Sequence, residues 1–96
     1  MPKYIIIFGK KIKIKYCDDM DGLHGEFIFD KMLIRINRMD CQKEQRLTLA
    51  HESLHASLAI GGVCELLSPE LEEAIVRNIE HGFFPLVSDC NLLEEK

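Results

Sequence analysis

The chain of 96 residues lacks the features that mark several common protein classes. It has no run of about 18 or more apolar residues, so no membrane span and no membrane partner are expected. Its formal net charge of −4 provides no broad basic surface, which argues against a nucleic acid partner. Its first residues lack the layout of a secretory signal, which predicts a cytoplasmic protein.

Close cysteine pairs are also lacking. The four cysteines are widely spaced and include no C-x-x-C pair, at Cys17, Cys41, Cys64 and Cys90. This spacing favours buried free thiols in a reducing compartment over a disulfide framework, and it disfavours a cysteine zinc site. Repeats, low-complexity tracts and linkers are lacking as well, so residues 1–96 are expected to form a single domain.

The first third of the chain predicts a small β-sheet. Residues 4–8 are β-branched and aromatic, and residues 11–17 alternate lysine with isoleucine or tyrosine, the period of a half-buried strand. Their lysines are expected on the solvent face and not in a phosphate site. Residues 26–29 and 32–37 are two further strands separated by only two residues, which predicts an antiparallel hairpin. We expect an α+β fold in which an antiparallel sheet of three to four strands packs on two main helices.

Two helices are predicted in the remaining residues. The first is expected to begin at Asp40 as N-cap and to end at the glycine pair 61–62. The second is expected to begin at Ser68, which precedes a proline, and to run to about Phe84, where another proline follows. The polar residues 88–96 predict a short or frayed helix.

The first helix contains the sequence H-E-x-x-H at His51, Glu52 and His55. Residues four apart project from the same helix face, with Cβ atoms about 5–6 Å apart, so two imidazoles can reach one zinc ion. The glutamate between them lies next to the metal, where it can take a proton from water. The alternative is an amphipathic helix that carries both histidines on its buried side.

A catalytic zinc site needs a third protein ligand, and the second helix offers several glutamates. At about 100° per residue, Glu72 falls within an apolar stripe formed by residues 71, 75, 76, 79 and 83. A carboxylate on a buried face is costly unless it is paired or binds a metal, so Glu72 is the predicted ligand. Glu73 is the alternative, and Glu72 could instead meet a buried cation or turn to the surface.

Residues 25–37 (GEFIFDKMLIRIN) followed by residues 46–55 (RLTLAHESLH) resemble the ImmA/IrrE-type zincin metallopeptidases and similar small phage and prophage metallopeptidases. The second-helix match is weaker, but counting back from its closing proline also selects Glu72. The resemblance implies a zinc-dependent peptidase with His51, His55 and Glu72 as ligands and Glu52 as general base.

The resemblance also implies a protein or peptide substrate that pairs with a sheet edge, provided by residues 26–29 or 32–37. The main alternative is a small phage-type protein whose zinc site is structural or binds a partner, without peptidase activity. A DNA-binding regulator is disfavoured by the net charge.

Overall fold

The computed structural model describes residues 2–84. The predicted tail at 88–96 and the proline after Phe84 lie outside the described residues. The elements in chain order are β1 (Tyr4–Ile7), β2 (Lys10–Cys17), β3 (Gly25–Ile28), β4 (Leu33–Asn37), α1 (Gln42–Ile60), α2 (Pro69–Asn78) and a π-helix (Ile79–Phe83) that continues α2. Short 3₁₀ turns at Phe29–Lys31 and Val63–Leu66 complete them.

The four strands form one mixed sheet in the order β1-β2-β4-β3. The predicted hairpin is present, because β3 and β4 pair antiparallel, as do β1 and β2. The central pair β2 and β4 is parallel, so the α+β class is confirmed and the expectation of a purely antiparallel sheet is wrong. Turn chemistry fixes the hairpin locally, but only packing decides which of its strands joins β2. The more apolar β4 takes the interior position and pairs Ile34 with Ile14.

The core lies between the central strands and α1. Ile12 and Ile14 of β2, Ile34 and Ile36 of β4, and Ala56 of α1 are buried together. Full burial of one such isoleucine stabilises the fold by about 1.5–3 kcal/mol. Because side chains alternate along a strand, the lysines of β2 are exposed on the opposite face, as predicted.

The helix boundaries differ from the sequence prediction at one end. Cys41 is the N-cap of α1, and the Asp40 carboxylate instead lies 2.8 Å from Nδ1 of His24. The other caps follow the prediction: Gly62 has a φ of 81°, and the Ser68 hydroxyl accepts a 3.1 Å hydrogen bond from the backbone N–H of Leu71.

The free cysteines also depart from expectation. Cys17 and Cys64 are half-buried and Cys41 is exposed, whereas buried thiols were predicted. Among residues 2–84, no helix combines the length and apolar character needed to cross a membrane.

Candidate metal centre

The two histidines of the H-E-x-x-H sequence meet through their Nε2 atoms. His51 and His55 lie one turn apart on α1, and their Nε2 atoms are 3.3 Å apart. The ring centroids are 4.9 Å apart and the rings meet edge to face. Two ring nitrogens with lone pairs so close together are suited to share one cation.

Glu73 of α2 is the carboxylate that faces both Nε2 atoms. Its Oε1 lies 3.4 Å from Nε2 of His51 and its Oε2 lies 3.4 Å from Nε2 of His55. Zinc binds nitrogen and oxygen ligands at about 2.0–2.1 Å in a tetrahedron, which separates neighbouring ligand atoms by about 3.3–3.4 Å. One ligand atom from each of His51, His55 and Glu73 lies within 4.8 Å of the other two, so these three residues are close enough to hold a zinc ion.

Glu72, the ligand predicted from the sequence, has a different place. Its Oε2 lies 2.6 Å from Nδ1 of His55, the ring nitrogen that is not shared with His51. The geometry thus favours Glu73, the alternative, as third ligand. Two residues of the apolar stripe that selects Glu72, Leu71 and Phe83, are 50% and 54% exposed, so that stripe is not the buried face of α2.

The buried face of α2 is centred on Val76, which is fully buried. At about 100° per residue, Glu72 and Glu73 lie on opposite flanks of Val76, about 40° and 60° away. Both side chains therefore reach α1, each at a different histidine atom. A stripe centred on Val76 includes both glutamates, so helical spacing alone does not separate them.

Glu80 was not predicted as part of the site. Its Oε1 lies 3.0 Å from Nδ1 of His51, so this histidine also has a carboxylate at its outer nitrogen. Glu80 follows Glu73 by seven residues, two helical turns, and belongs to the π-helix that continues α2. The seven-residue spacing was the available sequence signal, and π-helical turns are frequent at functional sites.

Glu52, which lies between the two histidines in the sequence, is half-buried. It lines a cleft of about 350 Å³ that His51 also lines. Burial raises the pKa of the Glu52 carboxyl, the charges of His51 and His55 lower it, and those of Glu73 and Glu26 raise it. The net direction is upward. A carboxylate with a raised pKa is a better proton acceptor than an exposed one.

The cleft is bounded on one side by β3, which is an edge strand of the sheet. Asn37 donates a backbone hydrogen bond to the His24 carbonyl at 2.8 Å, which identifies this pair as hydrogen-bonded in the antiparallel ladder. Because hydrogen-bonded and non-bonded pairs alternate, the backbone groups of Gly25 and Phe27 point away from β4, to the open edge. Of the two edges predicted from the sequence, β3 qualifies and the interior strand β4 does not.

A scan against protein-family models finds no match to this chain, and searches of curated proteins and of solved structures find none either.

Proposed function

We propose that the protein is a zinc-dependent metallopeptidase in which His51, His55 and Glu73 hold the metal. The observation that carries this proposal is the close approach of three side chains. The Nε2 atoms of His51 and His55 are 3.3 Å apart, and the two Glu73 carboxylate oxygens each lie 3.4 Å from one of them. The resemblance of residues 25–37 and 46–55 to ImmA/IrrE-type zincins supports the reaction class.

Zinc, when bound, supplies a Lewis acid that polarises a peptide carbonyl and makes water more acidic. Glu52 accepts a proton from the attacking water and returns it to the amine that leaves, so the peptide bond is hydrolysed without net proton change at Glu52. Burial of Glu52 beside His51 and His55 favours the first of these steps, because it makes the carboxylate more basic.

The edge strand β3 supports a mode of substrate binding. An extended peptide can pair with the outward backbone groups of Gly25 and Phe27 and so lie across the cleft beside Glu52. We place the protein in the cytoplasm, where the free thiols of Cys17, Cys41 and Cys64 stay reduced.

Metal content tests the ligand set. The purified protein is expected to bind one zinc per chain, and His51→Ala or His55→Ala is expected to abolish binding. His24→Ala is the matched control, because the Nδ1 of His24 is held by Asp40 outside the cluster. Elemental analysis after dialysis measures the stoichiometry. One zinc per chain retained in both variants would contradict the proposed site.

Glu52→Gln tests the reaction itself. The variant is expected to bind zinc like the wild type, since Glu52 is not a ligand, and to lose about 10²- to 10⁴-fold in hydrolysis of a mixed peptide library followed by mass spectrometry. Glu70→Gln, an exposed residue of α2, is the control. Zinc binding without any zinc-dependent cleavage in the wild type would favour the alternative, a metal site that is structural or binds a partner.

A further inference from the structure

Each histidine of the cluster has carboxylates at both of its ring nitrogens. Both Nε2 atoms face Glu73, whereas the outer Nδ1 atoms face Glu80 at His51 and Glu72 at His55. The outer distances, 3.0 and 2.6 Å, are within hydrogen-bond range, and the distances to Glu73 are longer at 3.4 Å. The three carboxylates thus divide into one that faces both histidines and two that each hold one.

The chemistry of imidazole makes this division consequential. A neutral histidine carries one N–H donor and one nitrogen lone pair, and an ionised carboxylate only accepts hydrogen bonds. A carboxylate at Nδ1 therefore places the hydrogen there and leaves the lone pair on Nε2, directed at the other histidine and Glu73. Metal-binding histidines are commonly oriented in this way, and the carboxylate also makes the ligand nitrogen more basic.

Burial distinguishes the outer carboxylates from Glu73. The side chains of Glu72 and Glu80 are 21% and 15% exposed, against 39% for Glu73. Glu73 also lies near Arg77, with an N–O distance of 3.7 Å. Among residues 2–84, the side-chain ion-pair partner of Glu72 is His55, and Glu80 meets His51 closely and the exposed His81 at 3.7 Å.

We infer that Glu72 and Glu80 are positioning residues that fix the tautomer and ring orientation of His55 and His51 for the metal. This inference rests on the proposed zinc site but not on peptide hydrolysis. Burial of a carboxylate without a partner is energetically unfavourable, and the contact with His55 gives Glu72 such a partner without making it a ligand. It also gives the π-helix a role, because that segment carries Glu80 to His51.

Zinc affinity, measured by competition with a chromophoric chelator, separates the three carboxylates. Glu72→Leu and Glu80→Leu are expected to weaken zinc binding by about 10- to 100-fold while one zinc per chain still binds at saturation. Glu72→Gln and Glu80→Gln should lose less, because an amide oxygen still accepts the Nδ1 hydrogen. Glu70→Gln, the same charge change on an exposed position of α2, should bind within about twofold of the wild type.

The histidine tautomer provides a second measurement that metal affinity alone would not give. In nitrogen-15 NMR of the zinc-loaded protein, both histidines are expected to carry hydrogen on Nδ1 and metal on Nε2. In Glu72→Leu, we expect the His55 ring to reorient or to show a mixture of tautomers, while His51 is unchanged. In Glu80→Leu, we expect the same at His51, while His55 is unchanged. Circular dichroism confirms that each variant is folded before either measurement.

Three results overturn the inference. If the leucine variants bind zinc as tightly as the wild type and keep its tautomers, Glu72 and Glu80 do not position the histidines. Zinc lost in Glu72→Gln but retained in Glu73→Gln makes Glu72 the ligand. A wild-type protein with no zinc affinity overturns the proposed function as well, so the two failures are distinguishable.

Discussion

Gly25 lies where the edge strand β3 comes closest to α1. A Cβ atom added at this position would collide with the Thr48 side chain, and it would lie 2.9 Å from the Arg35 carbonyl oxygen and 3.5 Å from Cγ of Glu52. The absence of a side chain therefore lets the open edge of the sheet approach the turn of α1 that carries Glu52. Phe27, the next residue on that edge with outward backbone groups, is partly buried against the core.

Replacement of Gly25 by alanine tests this close approach. We expect Gly25→Ala to lower the free energy of unfolding by about 1–3 kcal/mol, because the Arg35 carbonyl belongs to the backbone and cannot rotate away. Urea denaturation measures the change. Gly82→Ala is the matched control, since its added Cβ meets nothing within 4 Å and alanine favours helix. Equal stability of Gly25→Ala and the wild type would show that β3 shifts freely.

The sequence predicts some of these residue positions and not others. The approach of His51 to His55 is local, because it depends only on the four-residue spacing within one helix. The choice between Glu72 and Glu73 depends on how α2 rotates against α1, and neighbouring residues differ by only about 100°. That rotation depends on packing between elements that are distant in sequence, and in the structure it buries Val76 fully.

At the scale of elements, an ion pair ties the residue before β3 to the turn before α1. Nδ1 of His24 lies 2.8 Å from Oδ2 of Asp40. The hydrogen bond to Asp40, followed by the charge of Asp40, raises the pKa of His24 above its ordinary value of 6.5. The same pair explains why Asp40 does not cap α1, although its sequence position predicts a cap.

The stability from this pair depends on pH in a defined direction. Because the folded pKa of His24 is raised, the contribution is complete below about pH 6.5 and is lost as the pH rises through the raised value. Asp40→Asn should therefore lower Tm more at pH 5.5 than at pH 8.5, as measured by circular dichroism. Asp30→Asn, on an exposed position of the hairpin turn, should show no such difference. Equal losses at both pH values would contradict the pairing.

The strands and both helices were predictable as elements because their signals are local: alternating apolar residues, a short hairpin connection, and the Ser68 cap. The sheet order was not predictable in this way. Parallel pairing of β2 with β4 joins strands separated by the whole of β3, and it depends on the packing of Ile34 and Ile36 under α1.

Charge is unevenly distributed among the residues that the structure describes. The exposed lysines of β2 lie on the sheet face opposite the core, whereas Glu44 and Glu80 line the cleft with Glu52. No lysine or arginine of residues 2–84 lines that cleft. The cleft is lined by three carboxylates and by the histidines His24 and His51, and an excess of carboxylates attracts cations, so the proposed enzyme should favour basic peptides.

Peptides that differ only in one residue near the cleaved bond test this preference. We expect lysine-containing peptides to be cleaved faster than their glutamate counterparts, with an advantage that falls at high salt. Glu44→Gln should reduce the advantage about two- to fivefold, since Glu44 is exposed at the cleft rim. Glu65→Gln, an exposed residue outside the cleft, should leave it unchanged. Faster cleavage of the acidic peptides would contradict the expectation.

The position of β3 at the sheet edge has an evolutionary consequence. The five buried residues of the core come from β2, β4 and α1, and none comes from β3. Apart from Gly25 and Phe27, which are constrained by Thr48 and by the core, residues of β3 can therefore change with less effect on the hydrophobic centre than residues of β2 or β4. Descendants of one such chain could diversify in what they recognise while they inherit the same hydrophobic centre.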